Sequence, residues 1–78
     1  MIRMRLGHLL LDRDMKLKDV AEQTGIAVNN LSILKTNKAR AIRFSTLEAL
    51  CKTLQCTPGE LMEYVPDEDE SAATGNLV

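Results

Sequence analysis

The stretch Val28-Asn29-Asn30-Leu31-Ser32-Ile33-Leu34-Lys35 sets two adjacent amides at the front of a segment whose leucines recur at helical spacing. Asparagine is a poor helix former, and glutamate or lysine would favour the helix more. An amide carries donors and an acceptor together, so its place here points to reading a partner rather than to building a helix. Cations surround the stretch: Lys16 and Lys18 before it, Lys35 at its end, and Lys38, Arg40 and Arg43 beyond.

Catalytic chemistry is poorly supplied. His8 is the single histidine and has no evident nucleophile near it, so no triad is assembled. The four glycines are isolated, so no phosphate-cradling loop exists, and the acids fall mainly on solvated faces or at the C-terminal end. Structural zinc takes four ligands, more than His8, Cys51 and Cys56 together can offer. The sequence therefore predicts no enzyme, no metal and no cofactor. The two cysteines, spaced C-x4-C, read as buried small hydrophobes of a reducing compartment, with a regulatory disulfide as the alternative.

The elements that must position these groups belong to a small domain. At 78 residues the chain has room for one modest core. It is 45% apolar but only 3% aromatic, which suits helices packed through Leu, Ile, Val and Met better than a β-sandwich. No apolar run approaches the ~18 residues of a membrane span, and the run Leu6 to Leu11 has no cleavage pattern after it. A soluble, cytoplasmic protein is expected.

The net charge of −1 conceals a division. Residues 1–59 hold all ten bases and five acids, a balance of +5, whereas residues 60–78 hold six acids and no base. A basic body with an acidic end is compatible with a polyanion partner.

Periodicity predicts five helices. The first runs from Ile2 to Arg13, weakened by Gly7 and stopped by Asp14 in a left-handed conformation. The second runs from Leu17 to Thr24 and ends at Gly25; the third covers Val28 to Thr36, with Leu31 and Leu34 inward and Asn37 as its stop. Ser45-Thr46-Leu47-Glu48 reads as a capping box opening the fourth. Thr57-Pro58-Gly59-Glu60 reads as a second box opening a fifth helix, Pro58 to Tyr64, after which Pro66 closes the fold. Residues 67–78 have little to bury and are expected to form a disordered acidic tail on a domain spanning residues 1–66.

Ala21, Gly25 and Leu31 follow one another as a small residue, a turn residue and an aliphatic lock. Two helices crossing steeply over a tight turn need those three in that order. Here the segment Met15 to Lys38 resembles the helix-turn-helix of the Cro and phage-repressor family, also called the xenobiotic-response-element family. Ala39 to Val65 resembles its fourth and fifth helices. The resemblance implies an all-α, five-helix, lambda-repressor-like domain that binds double-stranded DNA as a transcriptional regulator. A repressor and a homodimer are expected, with no membrane association and no small-molecule effector.

In that family the third helix enters the major groove. With Leu31 and Leu34 inward, Val28, Asn29, Ser32 and Ile33 share the opposite face. Asparagine pairs bidentately with adenine, and aliphatic methyls pack on the thymine methyl, so this face suits A·T-containing half-sites. The alternative is that Asn29 caps the helix while Val28 and Ile33 join the core. Asn30 reads as a phosphate or capping residue. The resemblance implies phosphate contacts from Lys16, Lys18, Lys35, Lys38, Arg40 and Arg43, with Arg43 close to the minor groove; the alternative for the last three is simple solvated charge. Leu61, Met62, Tyr64 and Val65 exceed what one short helix needs and are expected to hold the dimer together.

Several positions depart from the family pattern. Leu17 stands where a phosphate-binding Gln is frequent, Ala27 where Ser or Thr usually caps the third helix, Lys35 where an acid is common, and Gln55 where Gly often follows the fourth helix. A second function remains open: the same fold as an antitoxin-like or regulator-binding module that works through its acidic tail.

Overall fold

The computed structural model describes residues 1–66, so the expected tail at 67–78 lies outside the described residues. In chain order the elements are β1 (Ile2–Met4), α1 (Leu6–Asp12), α2 (Leu17–Thr24), α3 (Val28–Lys35), α4 (Phe44–Leu54), α5 (Pro58–Leu61) and β2 (Met62–Tyr64). The helical core stands as expected, but the domain is not purely helical. β1 and β2 pair antiparallel, with Ile2 opposite Tyr64, Arg3 opposite Glu63 and Met4 opposite Met62.

Both ends of the described chain differ from the helices that periodicity predicts there, for one reason. Ile2-Arg3-Met4-Arg5 and Met62-Glu63-Tyr64 alternate apolar and charged residues, which is the period of a strand. Each partner is far off in sequence, so neither segment reveals the pairing alone. Across the pair Arg3 Nε donates to Glu63 Oε1 at 2.9 Å. Beyond the strands, Val65 N–H donates to the Met1 carbonyl at 2.8 Å, and Arg5 N–H to the Leu61 carbonyl at 2.7 Å. The first helix therefore begins at Leu6, and the fifth stops at Leu61 after a single turn.

Leu6, Leu9, Leu10, Val20, Leu31, Leu34, Leu50, Leu54 and Leu61 form the core, drawn from all five helices. No polar side chain is buried among the described residues. Leu61 is fully buried, so it belongs to the core and is withdrawn from the expected dimer surface.

Helix ends follow the sequence in four places and depart from it in one. Asp14, Gly25 and Asn37 all take positive φ, as stop residues should, and Gln55 does so too, at 50°. Thr57 and Glu60 form the expected box: Thr57 N–H donates to Glu60 Oε1 at 2.9 Å. That bond, with a second from the threonine hydroxyl, holds the Glu60 carboxyl below its usual range. The box expected at Ser45 does not form. α4 starts at Phe44 with Arg43 in the capping position, which leaves Ser45 inside the first turn.

Cys51 and Cys56 are free and half-buried rather than buried. Cys56 N–H donates to the Cys51 carbonyl at 3.0 Å across the end of α4. Burial first, and the neighbouring Cys51 second, push the Cys56 thiol up to about 11. Among the described residues, no helix is long and apolar enough to cross a membrane.

Candidate nucleic-acid interface

α2 and α3 are joined by Gly25, Ile26 and Ala27. Gly25 turns the chain at φ 76°, a conformation that a Cβ makes costly, while its N–H closes α2 on the Ala21 carbonyl at 2.9 Å. Thr24 staples the turn. Its hydroxyl donates to the Val20 carbonyl at 2.7 Å and accepts from Ile26 N–H at 3.2 Å. The sequence places Thr24 only as the last residue of the second helix; a threonine just before a turn glycine is the signal for its role in the turn.

α3 buries Leu31 and Leu34 and turns the rest of its surface outward. Val28 is 45% and Ile33 44% exposed, so neither belongs to the core. Asn29 and Asn30 are exposed, Ser32 is half-buried, and neither amide side chain bonds to a described residue. The capping position belongs to Ala27, which makes no side-chain bond. Asn29 is thus in the helix, not at its cap, and its amide is unspent.

After α3, Asn37 turns the chain left-handed at φ 61° and its side-chain oxygen accepts from Met4 N–H at 2.6 Å. This bond ties the loop 36–43 to β1. Ala39 and Ile42 pack against the core, which leaves Lys38, Arg40 and Arg43 projecting from a loop anchored at several points. An open groove of about 320 Å³ runs between α3, this loop and the start of α4, and it brings Asn30, Ile33, Arg43 and Thr46 onto one surface. Beside Arg43 stands Phe44, 87% exposed, a ring to which the sequence reading gave no role.

The remaining cations are less gathered. Lys16 and Lys18 are exposed at the N-terminal end of α2, where Lys16 N–H donates to Asp19 Oδ2 at 3.0 Å. Lys35 leans the other way: a Cβ built on Gly7 of α1 would sit 3.4 Å from its Cε, so its stem lies along α1. The ion pairs among the described residues are Arg3–Glu63, His8–Asp12 and Arg13–Asp12, and none involves the six cations around α3. At the other end, Tyr64 is 55% and Ile2 61% exposed, while Met62 and Val65 are half-buried.

Residues 5–67 match the family model of the Cro/C1-type HTH DNA-binding domain. Over 68 residues the chain is 54% identical to YozG, an uncharacterized HTH-type transcriptional regulator of Bacillus subtilis (strain 168); the overlap covers 87% of this chain and 81% of that protein. No solved structure matches the chain.

Proposed function

This chain belongs to the family of Cro/C1-type helix-turn-helix DNA-binding domains, and from that premise we propose how it reads DNA. It is a DNA-binding transcriptional regulator. In our reading α2 and α3 are the helix-turn-helix, α3 enters the major groove, and the protein represses by occupying its operator. No catalytic role is proposed.

The observation that carries this reading is the outward face of α3. Asn29 offers an amide with no partner among the described residues, the pattern that adenine N6 and N7 match bidentately. Val28 and Ile33 offer exposed methyls suited to the thymine methyl, and Ser32 borders them. Asn30 shares its groove with Arg43, which fits a phosphate contact at the edge of the reading face. Lys16 and Lys18 are exposed at the N-terminal end of α2, where the helix dipole favours an anion and Asp19 already supplies one; a phosphate would add a second. Lys38, Arg40 and Arg43 would follow the backbone, whereas Lys35 can reach it only with its tip.

Residues 1–66 form the proposed binding domain, and a second copy is the proposed partner. Tyr64 and Ile2 face each other across the sheet and are both exposed, with Met62 and Val65 at their border. A two-fold dimer would present two α3 helices to half-sites about one DNA turn apart.

Selection of bound sequences from random duplexes tests the reading. Enrichment of paired, A·T-containing half-sites is expected, and an unenriched pool would contradict it. Arg43→Ala should weaken selected and random DNA alike and make the salt slope shallower by about one unit. Because the Arg43 side chain makes no capping bond, α4 should be unaffected, and an unchanged slope would remove Arg43 from the interface.

A further inference from the structure

The end of α4 gathers two thiols. Gln55 turns left-handed at φ 50°, and beyond it Cys56 N–H donates to the Cys51 carbonyl at 3.0 Å. A helix that ends this way brings the side chains of the accepting and donating residues into contact, a place ordinarily filled by hydrophobes. Here both are cysteines. The Cys56 thiol hydrogen-bonds to that of Cys51, and both residues pack against the core while staying half-buried.

The backbone already suits a cross-link. A Cα lies about 1.5 Å from its own nitrogen and about 2.4 Å from its own carbonyl oxygen. The 3.0 Å bond therefore keeps the two Cα atoms within roughly 6.9 Å even if every link were collinear. The bend at a carbonyl oxygen shortens that span, and disulfides take about 4.4–6.8 Å. A cation stands beside the turn: Arg13 Nε donates to the Leu54 carbonyl at 2.8 Å and Nη2 to that of Gln55 at 3.3 Å.

We propose that Cys51 and Cys56 form a redox modification site, which hydrogen peroxide converts to an intrachain disulfide within the folded domain. Burial first, and the neighbouring sulfur second, keep the proton on Cys56, so Cys51 attacks. Its sulfur bonds to one peroxide oxygen as the O–O bond breaks, and the other oxygen leaves with the Cys51 proton as water. Cys56 Sγ then attacks the sulfenic sulfur of Cys51. The S–S bond forms, the S–O bond breaks, and the hydroxyl departs with the Cys56 proton as a second water. Two electrons pass from the thiols to the peroxide, and a dithiol reductant reverses the change. Cys51 lies about 12 Å along α4 from Arg43, so the cross-link fixes the junction of α4 and α5 and leaves the α3 face as it is.

The test treats the full chain with hydrogen peroxide and follows intact mass and thermal unfolding. A loss of two hydrogen masses is expected, on single chains, with restoration by dithiothreitol. The oxidised protein should unfold roughly 5–10 °C higher, because the closed ring restricts the unfolded chain. In Cys56→Ser the sulfenic acid on Cys51 should persist and be captured by dimedone. Cys51→Ser should be modified at least about tenfold more slowly than Cys56→Ser. Added oxygen in place of the two-hydrogen loss, or chains joined to one another, would overturn the site. A midpoint lowered by oxidation would overturn it too, because the fold would then not present the two sulfurs to each other. Equal rates in the two single variants would remove Cys51 as the attacking sulfur.

Discussion

The α3 face and the terminal sheet handle their polar groups in opposite ways. In the sheet region they are satisfied from within: Arg3 is paired with Glu63, Thr57 with Glu60, and Met1 with Val65. Around α3 they are left open. The helix starts at an uncapped Ala27, the Asn29 and Asn30 amides bond to no described residue, and Lys38, Arg40 and Arg43 have no acidic neighbour in their loop. A missing cap costs about 1 kcal/mol, and a chain with so small a core can carry few such losses. Groups left unsatisfied together on one face are best understood as groups kept for a partner. The two regions are also joined, because the Met4–Asn37 bond lets the sheet hold the cationic loop in place.

The largest effect should fall on the sheet side. Leu61→Ala should destabilise the monomeric fold by about 2–5 kcal/mol in denaturant unfolding, because Leu61 is fully buried. A loss seen only in self-association, with unfolding unchanged, would return Leu61 to the dimer surface.

Next comes a gain. Gln55→Gly should stabilise by about 1 kcal/mol, because Gln55 ends α4 at φ 50°, where a side chain is strained and glycine is not. No change in the unfolding midpoint would mean that the strain is relieved elsewhere.

The smallest effect concerns pH. Arg3 holds the Glu63 carboxyl below its usual 4.5, first through the hydrogen bond between them. A carboxyl lowered in the folded state contributes stability above its ordinary value, and the contribution is lost as pH falls through the lowered one. Glu63→Gln should therefore cost a little stability at neutral pH and make the protein less sensitive to acid below about 4.5. Parallel acid-unfolding curves would show that the pair contributes nothing.

What could be read from the sequence divides along the same line. The inward leucines, the turn at Gly25, the stops at Asp14 and Asn37 and the Thr57–Glu60 box are local signals, and the structure carries each of them. The sheet was not legible, because three-residue strands alternate too briefly to outweigh helical spacing and pair across almost the whole chain. The start of α4 misled for a different reason: a good box motif at Ser45 lost to a helix already begun at Phe44. At the candidate site, residue types indicated the amides and the cations, and the α3 periodicity indicated which side chains would be exposed. Sequence alone could not tell that Lys35 lies along α1 or that Arg43 joins Asn30 in one groove, because both depend on how distant elements pack.

The central claim is that Asn29 reads bases, and titrating Asn29→Ala against a selected operator and a random duplex at one salt concentration tests it most directly. The account predicts a loss of about 1–3 kcal/mol on the operator with little change on random DNA. Equal losses on both would make Asn29 a structural or phosphate-binding residue and contradict the account.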